Sequence, residues 1–191
     1  MKRLALVTGI LALTAPLAMA QTSTWAIDPA HSEVGFSVRH MSVSNVHGRI
    51  GGVKGNIVFD DTDATKSTVS VTIDVSTLDT GETPRDSDVK GPSFFDVAKF
   101  PTAAFTSTSV AKAGNNLKVI GNLTLHGTTR PVELAVEGPS APVPGMDHKP
   151  HSGYSASTTI NRKDFGVGPN YPSAVVSDEI KLTIDLEVVK Q

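Results

Sequence analysis

Among the polar side chains of this sequence, His40 stands in the most suggestive place: it closes a run in which Val34, Phe36 and Val38 alternate with Glu33, Ser37 and Arg39. An imidazole at the end of an apolar strand face can meet a ligand's polar head group at a cavity mouth, or bond the backbone at the strand end. Arg85 and Asp86 offer a second set of charges. They can face a ligand, or cap the start of a helical segment through the helix dipole. His31, next to Ser32 at a strand start, reads as a turn-stabilising residue, and Arg162 with Asp164 as a brace for the glycine-rich loop that follows. His148 and His151 lie with Asp147 in a proline-rich stretch; their spacing is not that of a zinc site, so a solvated loop without metal is expected. Asn122-Leu123-Thr124 matches a glycosylation acceptor only by chance, since it falls inside a predicted strand.

Catalytic motifs are absent. The chain has no cysteine, hence no thiolate nucleophile, thiolate metal site or disulfide. It also lacks a G-x-S-x-G elbow, an H-E-x-x-H pair, a P-loop and a G-x-G-x-x-G turn. A constellation assembled from distant residues, such as His40 with Asp86, is the one enzymatic arrangement left open, and it would make the protein a hydrolase or other enzyme acting on a lipid. No cofactor is called for.

These residues need elements to hold them, and the N-terminus sets where those elements work. Met1, Lys2 and Arg3 precede an apolar stretch from Leu4 to Leu17 and the small-residue pattern Ala18-Met19-Ala20. That order is a cleavable export signal over residues 1–20, too short and too interrupted by Gly9 and Pro16 to span a bilayer. Periplasmic location without a stable membrane anchor is the expectation. Residues 21–191 then form one domain, long enough for a substantial core. The formal net charge of −2 becomes −4 once Lys2 and Arg3 leave, which argues against a nucleic-acid partner.

Beyond the leader, Val, Thr, Ile and Ser alternate apolar with polar at every second position, between Gly, Asn, Asp and Pro punctuation. That is the period of half-buried antiparallel strands. Eight runs are read: Val34 to His40, a bent glycine-rich run from Gly48 to Phe59, Val69 to Val75, Thr102 to Val110, Leu117 to Leu125, Pro131 to Val136, Tyr154 to Ile160, and Ile180 to Val188. Arg85 to Phe100 breaks the alternation as a helical or irregular excursion split by Gly91 and Pro92, and two long loops span Gly138 to Gly153 and Lys163 to Ser177. Eight such strands can stack as a sandwich or close as a barrel. A shortage of large core residues, with Trp25 the one tryptophan and 7 phenylalanines in all, favours a barrel with room for a small ligand.

Several separated segments together resemble the YceI-like polyisoprenoid-binding proteins of bacteria. The first is Trp25-Ala26-Ile27-Asp28-Pro29-Ala30-His31-Ser32, continuing to Phe36 and His40; Val46-His47-Gly48 and Gly52-Val53-Lys54-Gly55 follow. Ser76-Thr77-Leu78-Asp79-Thr80-Gly81, Arg85-Asp86, Phe94-Phe95-Asp96 and Phe100-Pro101 come next, then Gly121 to Val132 and Asn161-Arg162-Lys163-Asp164-Phe165-Gly166-Val167. In order, they cover nearly the whole exported chain. The resemblance implies an all-β fold: an eight-stranded antiparallel lipocalin-like barrel with a short helix, around an apolar internal cavity for a long-chain isoprenoid or fatty-acid-like lipid. It also implies a homodimer. On that basis His40, Arg85 and Asp86 are the candidate head-group contacts, and Phe36, Val38, Phe94, Phe95, Phe100, Phe105 and Phe165 the candidate cavity lining. One departure matters: after Asp86 the family continues with a His-Leu-Arg type of stretch, whereas this chain has Asp88-Val89-Lys90. A carboxylate for an imidazole and a lysine for an arginine weaken any bidentate phosphate clamp there.

Overall fold

The structure is a computed structural model and describes residues 21–191; the export signal read at residues 1–20 lies outside the described residues. The strands are β1 (Thr22–Ile27), β2 (Glu33–His40), β3 (Ser44–Ile50), β4 (Lys54–Asp60), β5 (Thr68–Asp74), β6 (Thr102–Ala113), β7 (Asn116–Leu125), β8 (Thr128–Glu137), β9 (Val143–Pro144), β10 (Pro150–Asn161) and β11 (Val176–Lys190). The helix α1 (Thr83–Lys90) sits between β5 and β6. Every pairing is antiparallel, and eight strands close into a barrel in the order β1, β4, β5, β6, β7, β8, β10, β11 and back to β1. Closure leaves no long edge in the ring to recruit a foreign strand.

The closing strand does double duty. β11 pairs with β10 along one side from Glu179 to Val189. On its other side it pairs with β2 from Val176 to Asp185, then with β1 from Val188 to Lys190. β1 and β2 thus follow one another along a single edge, joined by the Asp28–Ser32 turn. The hairpin partner β3 hangs outside the ring, tied to the segment after β5 by the bridge Arg49 to Asp79. This is where the membership of the eight strands differs from the sequence reading. The bent run from Gly48 to Phe59 is two strands, β3 and β4, because Gly52 adopts a left-handed φ of +63° and turns the chain away. β1, whose Thr22, Ser23 and Thr24 carry no apolar alternation, supplies the missing ring strand.

Inward positions follow the period of two, with one correction built in. β6 shifts register between Ser107 and Ser109, and Ser107 Oγ accepts the Val69 N–H at 2.8 Å. That bulge lets Phe105 and Val110, an odd number of residues apart, both face inside. Gly121 is needed opposite: a side chain there would meet the Phe105 ring and the Thr106 carbonyl oxygen at 2.6 Å. Buried residues form two groups, one around Trp25, Val53, Ile57 and Val188, the other around Phe105, Leu123, Ile160 and Phe165. The two groups flank the hollow axis.

Candidate functional site

Two adjoining chambers lie along that axis. The far chamber, about 120 Å³, is bounded by Ile57, Phe59, Val69, Phe105, Val119, Val136, Tyr154 and Leu186, and its exposed lining is apolar. The near chamber, about 320 Å³, lies between β2, β3, α1 and the Phe94–Phe95 segment. Val34, Ile73, Leu123 and Leu182 line both, so the two chambers adjoin across these four side chains along the tunnel axis. Of the two chambers, the near one has the polar border. Arg39, His40, Thr80, Arg85, Asp88 and Arg162 border it, giving a mouth with three guanidinium groups and one carboxylate.

The segment after β5 makes that mouth. Asp86 Oδ1 accepts from both the Thr80 N–H, at 2.7 Å, and the Thr80 hydroxyl, at 2.6 Å, which holds the Asp86 carboxyl below its ordinary range. Arg85 adds two donors to the same residue, Nε to Thr80 Oγ1 at 2.9 Å and Nη2 to the Thr80 carbonyl at 2.8 Å. Asp86 therefore stitches the loop before α1 rather than capping the helix, and it does not border the tunnel. Arg85 does border it, with its Nη1 committed to neither of those bonds.

Beyond α1, the chain folds Phe94 and Phe95 over the near chamber. Phe94 stacks on Tyr171, ring centroids 4.3 Å apart, and so joins this roof to the loop after β10. That loop is organised by Arg162, which is 3 % exposed. Its guanidinium donates to the carbonyls of Ser177 (3.1 Å), Val167 (3.0 Å), Tyr171 (2.8 Å), Val176 (3.0 Å) and Gly168, and to Asp178 Oδ1 at 3.0 Å. Burial pulls the guanidinium's pKa down and the Asp178 charge opposes this, while Ser173 and Lys163 hold the Asp178 carboxyl low. Arg162 braces the loop as its sequence position implied, but with Asp178; Asp164 is exposed. Nothing in the local spacing marks a partner sixteen residues away.

The other candidates distribute as follows. Phe36, Val38, His40, Phe94 and Phe95 border the near chamber and Phe105 the far one. His40 is solvent-exposed at the rim, paired in the sheet with Ser44 and Val176. Phe100 and Phe165 lie elsewhere, in the packed wall. Phe100 meets the His126 ring edge-on, centroids 4.5 Å apart, and His126 Nδ1 lies 3.2 Å from the Phe165 carbonyl oxygen, so the Phe100 ring and the Phe165 backbone anchor the roof segments to the β7–β8 turn. Phe165 is 2 % exposed within the core. Arg39 and Thr80 complete the mouth without having been candidate contacts, since period-two alternation assigns Arg39 to the outer face; Asp88, where the sequence departs from the family pattern, borders it as well. His151 departs from the expected solvated loop. It belongs to β10, paired with Val189, and is largely covered.

Comparison with known proteins agrees with this architecture. A family model described as the YceI-like domain matches residues 25–188. The chain belongs to the YceI-like family. Protein YceI of Salmonella newport is 37% identical over 165 residues, covering 84% of this chain and 83% of that protein; its counterpart in Salmonella arizonae is 36% identical over the same length. Among solved structures, BcnA of Burkholderia cenocepacia superposes with a TM-score of 0.73 at 26% identity, covering 84% of this chain and 98% of that one. The Campylobacter jejuni YCEI protein gives 0.71 at 29% identity, with 78% and 87% covered. A polyisoprenoid binding domain from Saccharophagus degradans shares the fold at a TM-score of 0.64 and 16% identity, over 87% of this YceI-like chain and 98% of its own. Among the described residues no helix is long and apolar enough to cross a membrane.

Proposed function

We propose that this YceI-like protein binds a long-chain isoprenoid or similar amphiphilic lipid without chemically altering it, and carries or sequesters it in the periplasm. The observation that carries this reading is the pair of adjoining chambers with apolar walls, the larger of them bordered by charged and polar side chains at its mouth. Each methylene withdrawn from water into such a channel contributes about 0.8 kcal/mol, less the cost of ordering the chain. A tail lying through Leu182 and Leu123 toward Phe105 would leave its head beside His40, Arg85 and Arg39. Arg39 and Arg85 at the mouth restore an anionic head group as a fit, even with Asp88 and Lys90 where the family pattern has other residues, while Arg162 is committed to the loop it braces. Asp86, the acid an enzymatic pairing with His40 would use, is already engaged by Thr80.

Native mass spectrometry of the protein purified from its own host, followed by lipid extraction, tests the proposal directly. A copurified long-chain amphiphile at one per chain is expected, and the same spectrum reads out the homodimer that belongs to this proposal. Finding neither a copurified nor an addable long-chain ligand would overturn it. Phe95→Asp, which places a carboxylate in the near chamber, is expected to abolish tail binding while unfolding stays cooperative.

A further inference from the structure

Among the described residues, a gathering of ligating side chains outside the tunnel lies where the β1–β2 turn crosses the end of β11. His31 Nδ1 is 2.8 Å from Asp28 Oδ2 and 3.9 Å from Glu187 Oε2, and one ligating atom from each of these three residues lies within 4.8 Å of the other two. Their backbones are fixed to one another. Asp28 N–H donates to the Glu187 carbonyl at 2.9 Å, while Ser32 Oγ accepts from the Glu187 N–H at 3.0 Å and donates to its carbonyl at 3.3 Å. The second oxygen of Glu187 is also held: Oε1 lies 2.6 Å from His151 Nδ1, and His151 Nε2 lies 2.9 Å from Asp147 Oδ1. His151 is 17% exposed and His31 65%, so the group is braced on its inner side and open on its outer side.

We infer that Asp28, His31 and Glu187 form a binding site for a divalent transition-metal ion of the zinc class, with His151 and Asp147 orienting Glu187 and water completing the coordination. Two carboxylates balance the dication, and the imidazole selects such an ion over calcium or magnesium, which prefer all-oxygen ligands. Metal–ligand bonds of about 2.0–2.1 Å at tetrahedral angles place ligand atoms roughly 3.3 Å apart. The observed 2.8 and 3.9 Å fall on either side of that value and the third pair lies within 4.8 Å, so side-chain rotation has to close the carboxylates on the ion. The outer imidazole–carboxylate pair on Glu187 is of the kind that fixes a ligand's orientation in metal sites. Position gives the ion a structural role. At this corner β11 exchanges β2 for β1, at the opposite end of the strand from the tunnel mouth, and a bound ion would clip the turn to the ring.

Calorimetric titration of ZnCl2 into the chelator-treated full-length chain, made without a polyhistidine tag, tests this. One ion per chain with a micromolar Kd is expected, together with a Tm increase of roughly 5–10 °C at a hundredfold excess over Kd. His31→Ala should weaken binding at least tenfold and His151→Gln about tenfold, while His148→Ala, an exposed neighbour, leaves it unchanged. Asp28→Asn, which preserves the shape of the turn, should reproduce the His31→Ala loss should that variant fold poorly. The inference is overturned by an absence of saturable binding up to roughly 1 mM, by binding that survives both His31→Ala and Asp28→Asn, or by calcium binding as tightly as zinc.

Discussion

Replacing Ala156 with Phe should shorten the lipid that this barrel accepts. Ala156 lies on β10 and faces the far chamber, whose volume is about 120 Å³. A benzene-sized group fills an apolar cavity of about 150 Å³, so the new ring would occupy that chamber and leave the near one free. If each methylene takes roughly the 30 Å³ that a water occupies in the liquid, the far chamber holds about four methylenes and the near chamber, at about 320 Å³, about ten. At about 0.8 kcal/mol per methylene, the lost contacts amount to roughly 3 kcal/mol, or a little over a hundredfold in Kd. The assay is competitive displacement of a fluorescent fatty acid by decanoic and by hexadecanoic acid. Ala156→Phe should weaken hexadecanoic acid by about two orders of magnitude and leave decanoic acid within about twofold, because the shorter chain ends inside the near chamber. Thermal melting should show equal or higher stability, as expected when an existing void is filled. Equal losses for the two acids, or no loss for either in a folded variant, would refute the view that the chambers form one tail path entered from the His40 end.

Other consequences can be read on the same preparation. Arg162→Ala removes the donor shared by five carbonyls and Asp178, and should lower unfolding free energy by about 3–5 kcal/mol in urea titrations; a loss under about 1 kcal/mol would mean that the loop is held by other contacts. Burial pushes the Tyr154 phenol from its ordinary 10.0 up to about 12. The unfolded chain therefore gives up this proton first, so its stabilisation is complete below pH 10 and is lost as pH rises to about 12. Tyr154→Phe should flatten that alkaline limb in a series of urea midpoints, and parallel curves for the two proteins would contradict the assignment. At Gly48, an added methyl would meet the Phe36 ring and lie 2.8 Å from the Asp79 carbonyl oxygen, so Gly48→Ala should cost about 1–3 kcal/mol and tilt Phe36 into the near chamber. A variant with unchanged melting and tail affinity would show that β3 yields there without effect.

How far the sequence could be read depended on whether the signal was local. Val34, Phe36, Val38 and His40 share a face because a strand repeats every two residues, and the structure keeps them together along the near chamber. The Phe94–Phe95 excursion was visible as a break in that repeat. β1 was missed as a ring strand because Thr22, Ser23 and Thr24 present no apolar alternation; the buried Ser23 accepts the Trp25 indole N–H at 2.9 Å instead. Asp86 was legible as a charge beside Arg85, but its commitment to Thr80 depends on how the loop before α1 curls back. Phe100 and Phe165 were legible as buried aromatics, and only packing could place them in the wall.

Composition and period by themselves determined that the chain is an antiparallel all-β domain with one helical interruption, a carrier of apolar faces without thiol chemistry. They determine this because hydrophobic alternation and turn chemistry act over a few residues, within reach of the covalent chain. Tertiary structure decided which strands close the ring, where the alternation slips at Ser107, and which charges converge. Arg162 meets Asp178, and His151 meets Glu187 thirty-six residues away, only because β10 and β11 pair along their length. Such meetings are set by strand register and closure, and no local pattern encodes them.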